Sequence, residues 1–389
     1  MTVTADAQQF LQAGLDQTPC LVIDVDVART QYHRIADAFA GAGIHYAVKA
    51  NPELPLLSAL VAEGCQFDVA SRAEIDLCLA AGASPGDLSY GNPIKKSEDI
   101  AYAYARGVRT FAFDSEGELD KIVRHAPGSS VLCRILASSD GARWPLSRKF
   151  GCVPEMAAEL MKVAALRGLD PAGIAFHVGS QQLHPDRWEP SIATAAWIFK
   201  VLDQSGITLR ILNAGGGFPV PYRAPVAPIT AFASAIDAAV RRHFGHRAPA
   251  LMIEPGRYVA APAGVLHTQV VLVARKSYDD EPRWVYLDVG RFGGLAETED
   301  EAIQYELSTT RGGPTGPVIL AGPTCDSVDI LYQHAPYDLP LDLAAGEVIR
   351  IHGTGAYTAT YSAVGFNGFP PLRTVVTPGE GIPSSHDIG

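Results

Sequence analysis

Eight short apolar runs, followed by stretches of helical periodicity, constrain this 389-residue chain more than any other feature. The runs cover 44–48, 66–70, 87–90, 110–113, 131–136, 173–178, 209–213 and 251–254. The intervening helical spacing is clearest over 54–63, 72–81, 155–167 and 229–242. Strand followed by helix, repeated eight times, predicts an α/β fold built on a (β/α)8 barrel. Ser71-Arg72-Ala73-Glu74 supports the alternation, because it forms a capping box directly after a strand and marks where the next helix begins.

Past about residue 265 the texture changes. Strand-like segments at 269–274, 284–287, 317–320, 348–352 and 372–376 are separated by Gly, Pro and Asp, and helical patterns are rare. A further strand at 20–24 precedes the barrel repeat. The expected division is a barrel over 26–265 and a mostly β domain made from 1–25 and 266–389. The tail, 378–389, is expected to fray. The net charge of −11 argues against nucleic acid or an anionic membrane as a partner and suits a cationic substrate. Six cysteines without a C-x-x-C pair show neither metal spacing nor a disulfide framework. Residues 1–11 lack the pattern of a signal peptide, so the chain reads as cytoplasmic.

Barrels of this kind carry their chemistry at the C-terminal ends of the strands. Reading those ends in order gives Lys49, then Asp68 and Ser71, Asn92, Asp114, Arg134, His177 with Ser180, Gly215-Gly216-Gly217, and Glu254 with Arg257. A lysine ending an apolar strand is costly to bury as a cation, and burial favours the neutral, nucleophilic amine. Alone it is a surface lysine at a strand edge. Bare glycines let backbone N–H groups approach a phosphate, although a triplet alone is usually a tight turn. Glu254-Pro255-Gly256-Arg257 offers a carboxylate and a guanidinium to two ends of one ligand, or forms a local ion pair. In the β region, Gly322-Pro323-Thr324-Cys325-Asp326-Ser327 sets a thiol beside a carboxylate, and Gly355-Ala356-Tyr357-Thr358 is a further glycine loop. His243 and His246 lack a third nearby ligand, and no metal site is expected.

Taken in order, Tyr46-Ala47-Val48-Lys49, His177-Val178-Gly179-Ser180, Gly215-Gly216-Gly217-Phe218-Pro219, Glu254-Pro255-Gly256-Arg257, Gly322-Pro323-Thr324-Cys325-Asp326 and Gly355-Ala356-Tyr357-Thr358 resemble the fold-type III decarboxylases that use pyridoxal 5′-phosphate (PLP), the ornithine and diaminopimelate decarboxylase family. The resemblance runs from about residue 19 to 376. It implies that Lys49 is the Schiff-base lysine, that His177 stacks on the pyridine ring, and that Glu254 pairs with the pyridine nitrogen. Ser180, Gly215, Gly216, Gly217, Arg257 and Tyr357 would hold the phosphate. Asp68, Glu74 and Arg134 would line the site, and Cys325 would be the acid that protonates the substrate Cα. The resemblance also implies a homodimer in which the Cys325–Asp326 loop enters the neighbouring subunit's site, so that the β domain contributes to catalysis.

Cys-Asp-Ser at 325–327 is more similar to the ornithine/lysine branch than to the diaminopimelate branch, which carries Cys-Glu-Ser. Asp326 is then the candidate partner for a distal ammonium group. A second acid is expected from Ala296-Glu297-Thr298-Glu299-Asp300-Glu301, with Glu301 the choice for the substrate. The expected reaction converts L-ornithine and/or L-lysine to the diamine and carbon dioxide. Diaminopimelate or a specialised-metabolite precursor is the alternative substrate. A racemase of this fold pairs the pyridine nitrogen with arginine, which Glu254 disfavours. A non-catalytic regulatory homologue would have lost residues among Lys49, Glu254, Cys325 and Asp326, all of which are present.

Overall fold

The computed structural model describes residues 17–377. The expected fraying of 378–389 and the reading of 1–11 fall outside them. The described residues form two compact units. One contains 29–219 and 226–258; the other contains the chain up to 28, the segment 220–225, and the chain from 259 onward.

In the first unit eight parallel strands close into a barrel: Gly43–Ala47, Gln66–Val69, Leu88–Tyr90, Thr110–Phe113, Ser130–Arg134, Asp170–Ala175, Ile211–Asn213 and Ala250–Ile253. The eighth returns to the first through Met252 opposite Gly43 and Ile253 opposite Ile44. All eight predicted strands are present. The sixth lies earlier than predicted, ending at Ala175, so that His177 sits beyond the last ladder position. Tyr46, Phe67, Phe111, Leu132, Ile174 and Leu212 are buried, each on a strand, as a covered parallel sheet requires. Helix Arg72–Ala80 begins where the capping box places it: Ser71 Oγ accepts from Glu74 N at 3.2 Å, and Glu74 Oε2 accepts from Ala70 N at 2.6 Å.

The second unit is an eight-stranded sheet. Strand Gly264–Ala274 is central, pairing antiparallel with Cys20–Asp24, Arg283–Leu287 and Val348–His352. Cys20–Asp24 also pairs in parallel with Arg373–Thr377. The sheet continues to Glu306–Thr309 at one end, and through Thr315–Ala321 to Ile330–Pro340 at the other. No helix among the described residues is long and apolar enough to cross a membrane. No group of His, Cys, Asp or Glu among them is arranged to hold a metal ion.

Candidate active site at the barrel rim

The parallel register brings the predicted barrel residues to one rim. Ala47 lies opposite Asp68, and Lys49 follows in the single turn Val48–Ala50. Its Nζ reaches Asp68 Oδ2 at 3.0 Å. The lysine side chain is 46% exposed while Asp68 is buried, so the counter-ion is fixed. The other Asp68 oxygen, Oδ1, is buried with no hydrogen-bond partner among the described residues.

Glu254 leaves the eighth strand two residues beyond Met252, which lies opposite Asn213. Asn213 Nδ2 donates to Glu254 Oε1 at 2.6 Å. Burial raises the Glu254 pKa to about 7; Asp68 pushes in the same direction, and Lys49, the Asn213 bond and Arg134 oppose them. A cationic N–H placed against this carboxyl would return it to its ionised form. Arg134 closes the fifth strand opposite Ala175, with its guanidinium 5.4 Å from the Phe150 ring centre. Burial lowers its pKa against the holding charges of Glu254, Asp68 and Asp114. His177 accepts from Gly179 N through Nδ1 at 3.0 Å. Burial, with Arg134 and Lys49 adding to it, drives its pKa well below the usual value, so the ring is neutral and its proton sits on Nε2. A cleft of about 160 Å³ lined by Arg134, Leu146, Phe150 and His177 opens here.

The glycine run forms a cradle beside these groups. Gly215 and Gly217 adopt φ of +65° and +101°, where a side chain is strained. A Cβ on Gly216 would sit 2.4 Å from the Glu254 carbonyl oxygen and 3.4 Å from His177 Nε2. Arg257 is buried and donates through Nε and Nη2 to Ser180 Oγ at 3.2 and 3.1 Å.

Three rim residues named from the sequence make bonds within the scaffold. Ser71 caps its helix. The Asn92 carbonyl accepts from the buried Lys95 Nζ at 2.8 Å, and Asp114 Oδ2 accepts from Gly151 N at 2.7 Å. Trp144 lies in strand Ala142–Trp144, which pairs with Ser180–Gln182 and places Trp144 opposite Ser180. Asn213 was missed. The available signal was a polar residue ending the apolar run before the glycines.

The remaining predicted residues belong to the β unit. Cys325 is an exposed thiol, and its N donates to Asn367 Oδ1 at 3.0 Å. Asp326 Oδ1 accepts from Val328 N at 3.0 Å. The loop is anchored by buried Asp329, which accepts from Thr324 N and Oγ1 through Oδ2 and from Arg291 N through Oδ1. Tyr357 takes φ of +56°, with its ring 5.8 Å from Tyr361. Glu301 accepts from the backbone N–H groups of Gln333, His334 and Ala335 at 2.6, 2.6 and 2.7 Å, which tie its carboxylate to strand Ile330–Pro340.

Residues 26–261 match the family model described as "Pyridoxal-dependent decarboxylase, pyridoxal binding domain". The chain belongs to this family. It is 34% identical to a lysine/ornithine decarboxylase of Selenomonas ruminantium over 92% of this chain and 89% of the relative. The structure of SrLDC in complex with PLP and cadaverine superposes with a TM-score of 0.85 at 32% identity, covering 97% of this chain and 94% of that one. A lysine/ornithine decarboxylase from Vibrio vulnificus complexed with cadaverine gives 0.85 at 32% identity over 96% and 99%. PLP is accordingly the cofactor of this decarboxylase, and the barrel residues fit it: a half-exposed lysine on a buried carboxylate, a carboxyl with a raised pKa, a neutral imidazole, a glycine cradle and a buried arginine. Gly216→Ala is expected to weaken PLP binding and to lower stability by about 1–3 kcal/mol, since the methyl would overlap the Glu254 carbonyl. A PLP titration and the denaturant midpoint check it; wild-type values for both would show that the loop yields freely.

Proposed function

We propose that this PLP-dependent decarboxylase acts on L-lysine and/or L-ornithine and releases the diamine and carbon dioxide. The observation that carries the reading is the juxtaposition, within the barrel, of the Lys49 amine on Asp68 and the Glu254 carboxyl on Asn213. The similarity to lysine/ornithine decarboxylases supports the choice of substrate.

When bound, PLP supplies a conjugated electron sink for the electron pair left at the substrate Cα. Lys49 holds the cofactor through Nζ and exchanges a proton there, with Asp68 fixing the amine. Glu254 keeps the pyridine nitrogen protonated and the sink strong. The neutral His177 ring offers an uncharged face to the pyridine ring. Ser180, Gly215 to Gly217, Arg257 and Tyr357 hold the phosphate, and Arg134 lines the cleft next to His177. Cys325 delivers a proton to Cα after carbon dioxide leaves, and Asp326 receives the distal ammonium. In this reading Cys325 and Asp326 come from a second copy of the chain, making the working unit a homodimer.

Purified, PLP-loaded protein is assayed against lysine, ornithine, arginine, diaminobutyrate and diaminopimelate, with carbon dioxide and amine quantified together. A diamine formed from lysine or ornithine is the expected result; carbon dioxide released from diaminopimelate alone would reassign the substrate. With Cys325→Ala, amine product is expected to fall and decarboxylation-dependent transamination to rise, because Cα would lose its proton donor. Unaltered turnover and product would exclude Cys325 from that role.

A further inference from the structure

Asn213 ends the seventh barrel strand, Ile211–Asn213, and is 2% exposed. Its side chain is engaged at both ends. Nδ2 donates to Glu254 Oε1 at 2.6 Å, and Oδ1 accepts from Gly215 N at 2.9 Å. The backbone repeats the connection, with Glu254 N donating to Gly215 O at 2.8 Å. A carboxamide presents a donor and an acceptor together without a charge. One amide thus joins the carboxyl assigned to the pyridine nitrogen with the first glycine assigned to the phosphate.

We propose that Asn213 is a positioning residue that presents Glu254 and the 215–217 loop to the cofactor as one unit, and that its uncharged donor is what leaves Glu254 free to pair with the pyridine nitrogen. This rests on the cofactor roles given to Glu254 and the glycine loop. The amide donates to one Glu254 oxygen and adds no competing anion. The charged and titratable groups around Glu254 are Asp68, Lys49 and Arg134, with His177 beside Gly216. Among them only Asp68 disfavours the ionised carboxylate, and it is already paired with Lys49.

The proposal makes two substitutions behave differently. Alanine removes both hydrogen bonds at every pH. Aspartate keeps the acceptor for Gly215 N and removes the donor. Two carboxyls at the Asn213–Glu254 separation cannot both ionise readily, so they share a proton, and the protonated pair restores the donor. As pH rises and that proton leaves, the pair becomes two repelling anions and the donor is gone.

The test is a PLP titration of the wild-type, Asn213→Ala and Asn213→Asp apoproteins, with each affinity expressed relative to wild type at the same pH. Asn213→Ala is expected to bind PLP roughly 10- to 100-fold more weakly throughout, the loss associated with a hydrogen bond to a charged group. Asn213→Asp is expected to match wild type at acid pH and to weaken by roughly 10- to 100-fold as pH rises through the shared proton's loss. Wild-type affinity in Asn213→Ala would overturn the positioning role. An Asn213→Asp curve parallel to wild type at all pH values would overturn the donor role. If the alanine variant fails to fold by circular dichroism, the pH slope of the aspartate variant decides alone. The substrate assay is separate: silence towards lysine and ornithine, with this pH slope intact, would refute the substrate and leave the positioning role standing.

Discussion

Lys49→Ala is expected to abolish the visible absorbance of covalently bound PLP and to lower turnover by on the order of 10³-fold or more, as when a covalent participant is removed. The structure argues for a large effect. Lys49 is half-exposed at the rim, and its 3.0 Å contact with Asp68 fixes where its amine points. Its removal has a second consequence. Lys49 holds down the pKa values of both Glu254 and Glu74, each already raised to about 7 chiefly by burial. Without that cation both carboxyls shift further up, and Asp68 is left buried without its counter-charge. The absorbance spectrum and released carbon dioxide are measured together; an unchanged spectrum would sink the assignment of Lys49.

Glu254→Gln is expected to lower turnover by on the order of 10²- to 10⁴-fold, the range for losing a group that controls a proton at the reacting system. Its apoprotein supplies an independent check. The folded state binds the Glu254 proton more tightly than the unfolded state, because burial penalises the carboxylate. Stability from this group is therefore full below the ordinary carboxyl range and declines as pH rises towards about 7. Glu74, raised by burial and by Asp68, acts in the same direction. The glutamine variant lacks one of the two contributions. Its apoprotein melting temperature is expected to fall less steeply over this window and to lie above wild type beyond it. Parallel melting curves would show that Glu254 is no more costly to ionise when folded than when unfolded.

The barrel was legible because each strand is a short, densely apolar run ended by a residue of different character. The ends were less legible. The sixth strand was carried to 178 because Phe176 and Val178 continue the apolar run, yet pairing stops at Ala175. The β unit hid two strands. Glu306–Thr309 is short and polar, and Ile330–Pro340 carries two prolines and polar residues at a sheet edge, where its ladder with Thr315–Ala321 shifts register. An irregular edge strand shows no steady alternation.

For the candidate site, residue type identified the groups that carry charge or a nucleophile but not their occupation. Glu301 and Asp326 are both acids next to loops, and only the folded backbone shows Glu301 accepting from three N–H groups of a strand while Asp326 spends one oxygen on its own turn. Asn213 escaped notice because its importance lies in joining Gly215 to Glu254, which are 39 residues apart in sequence and meet only through the ladder.

The parallel pairing of Cys20–Asp24 with Arg373–Thr377 has a consequence for biosynthesis. On the ribosome, the first of these strands emerges long before its neighbour exists. Every residue assigned to the barrel unit has been translated by Tyr258, whereas the β sheet waits for Thr377. Through that interval the nascent chain carries an open edge at Cys20–Asp24, a surface that invites pairing with other chains. Stop codons placed just before Arg373 would make the interval permanent, so even a very late truncation would cost yield through aggregation rather than through loss of any group at the barrel rim.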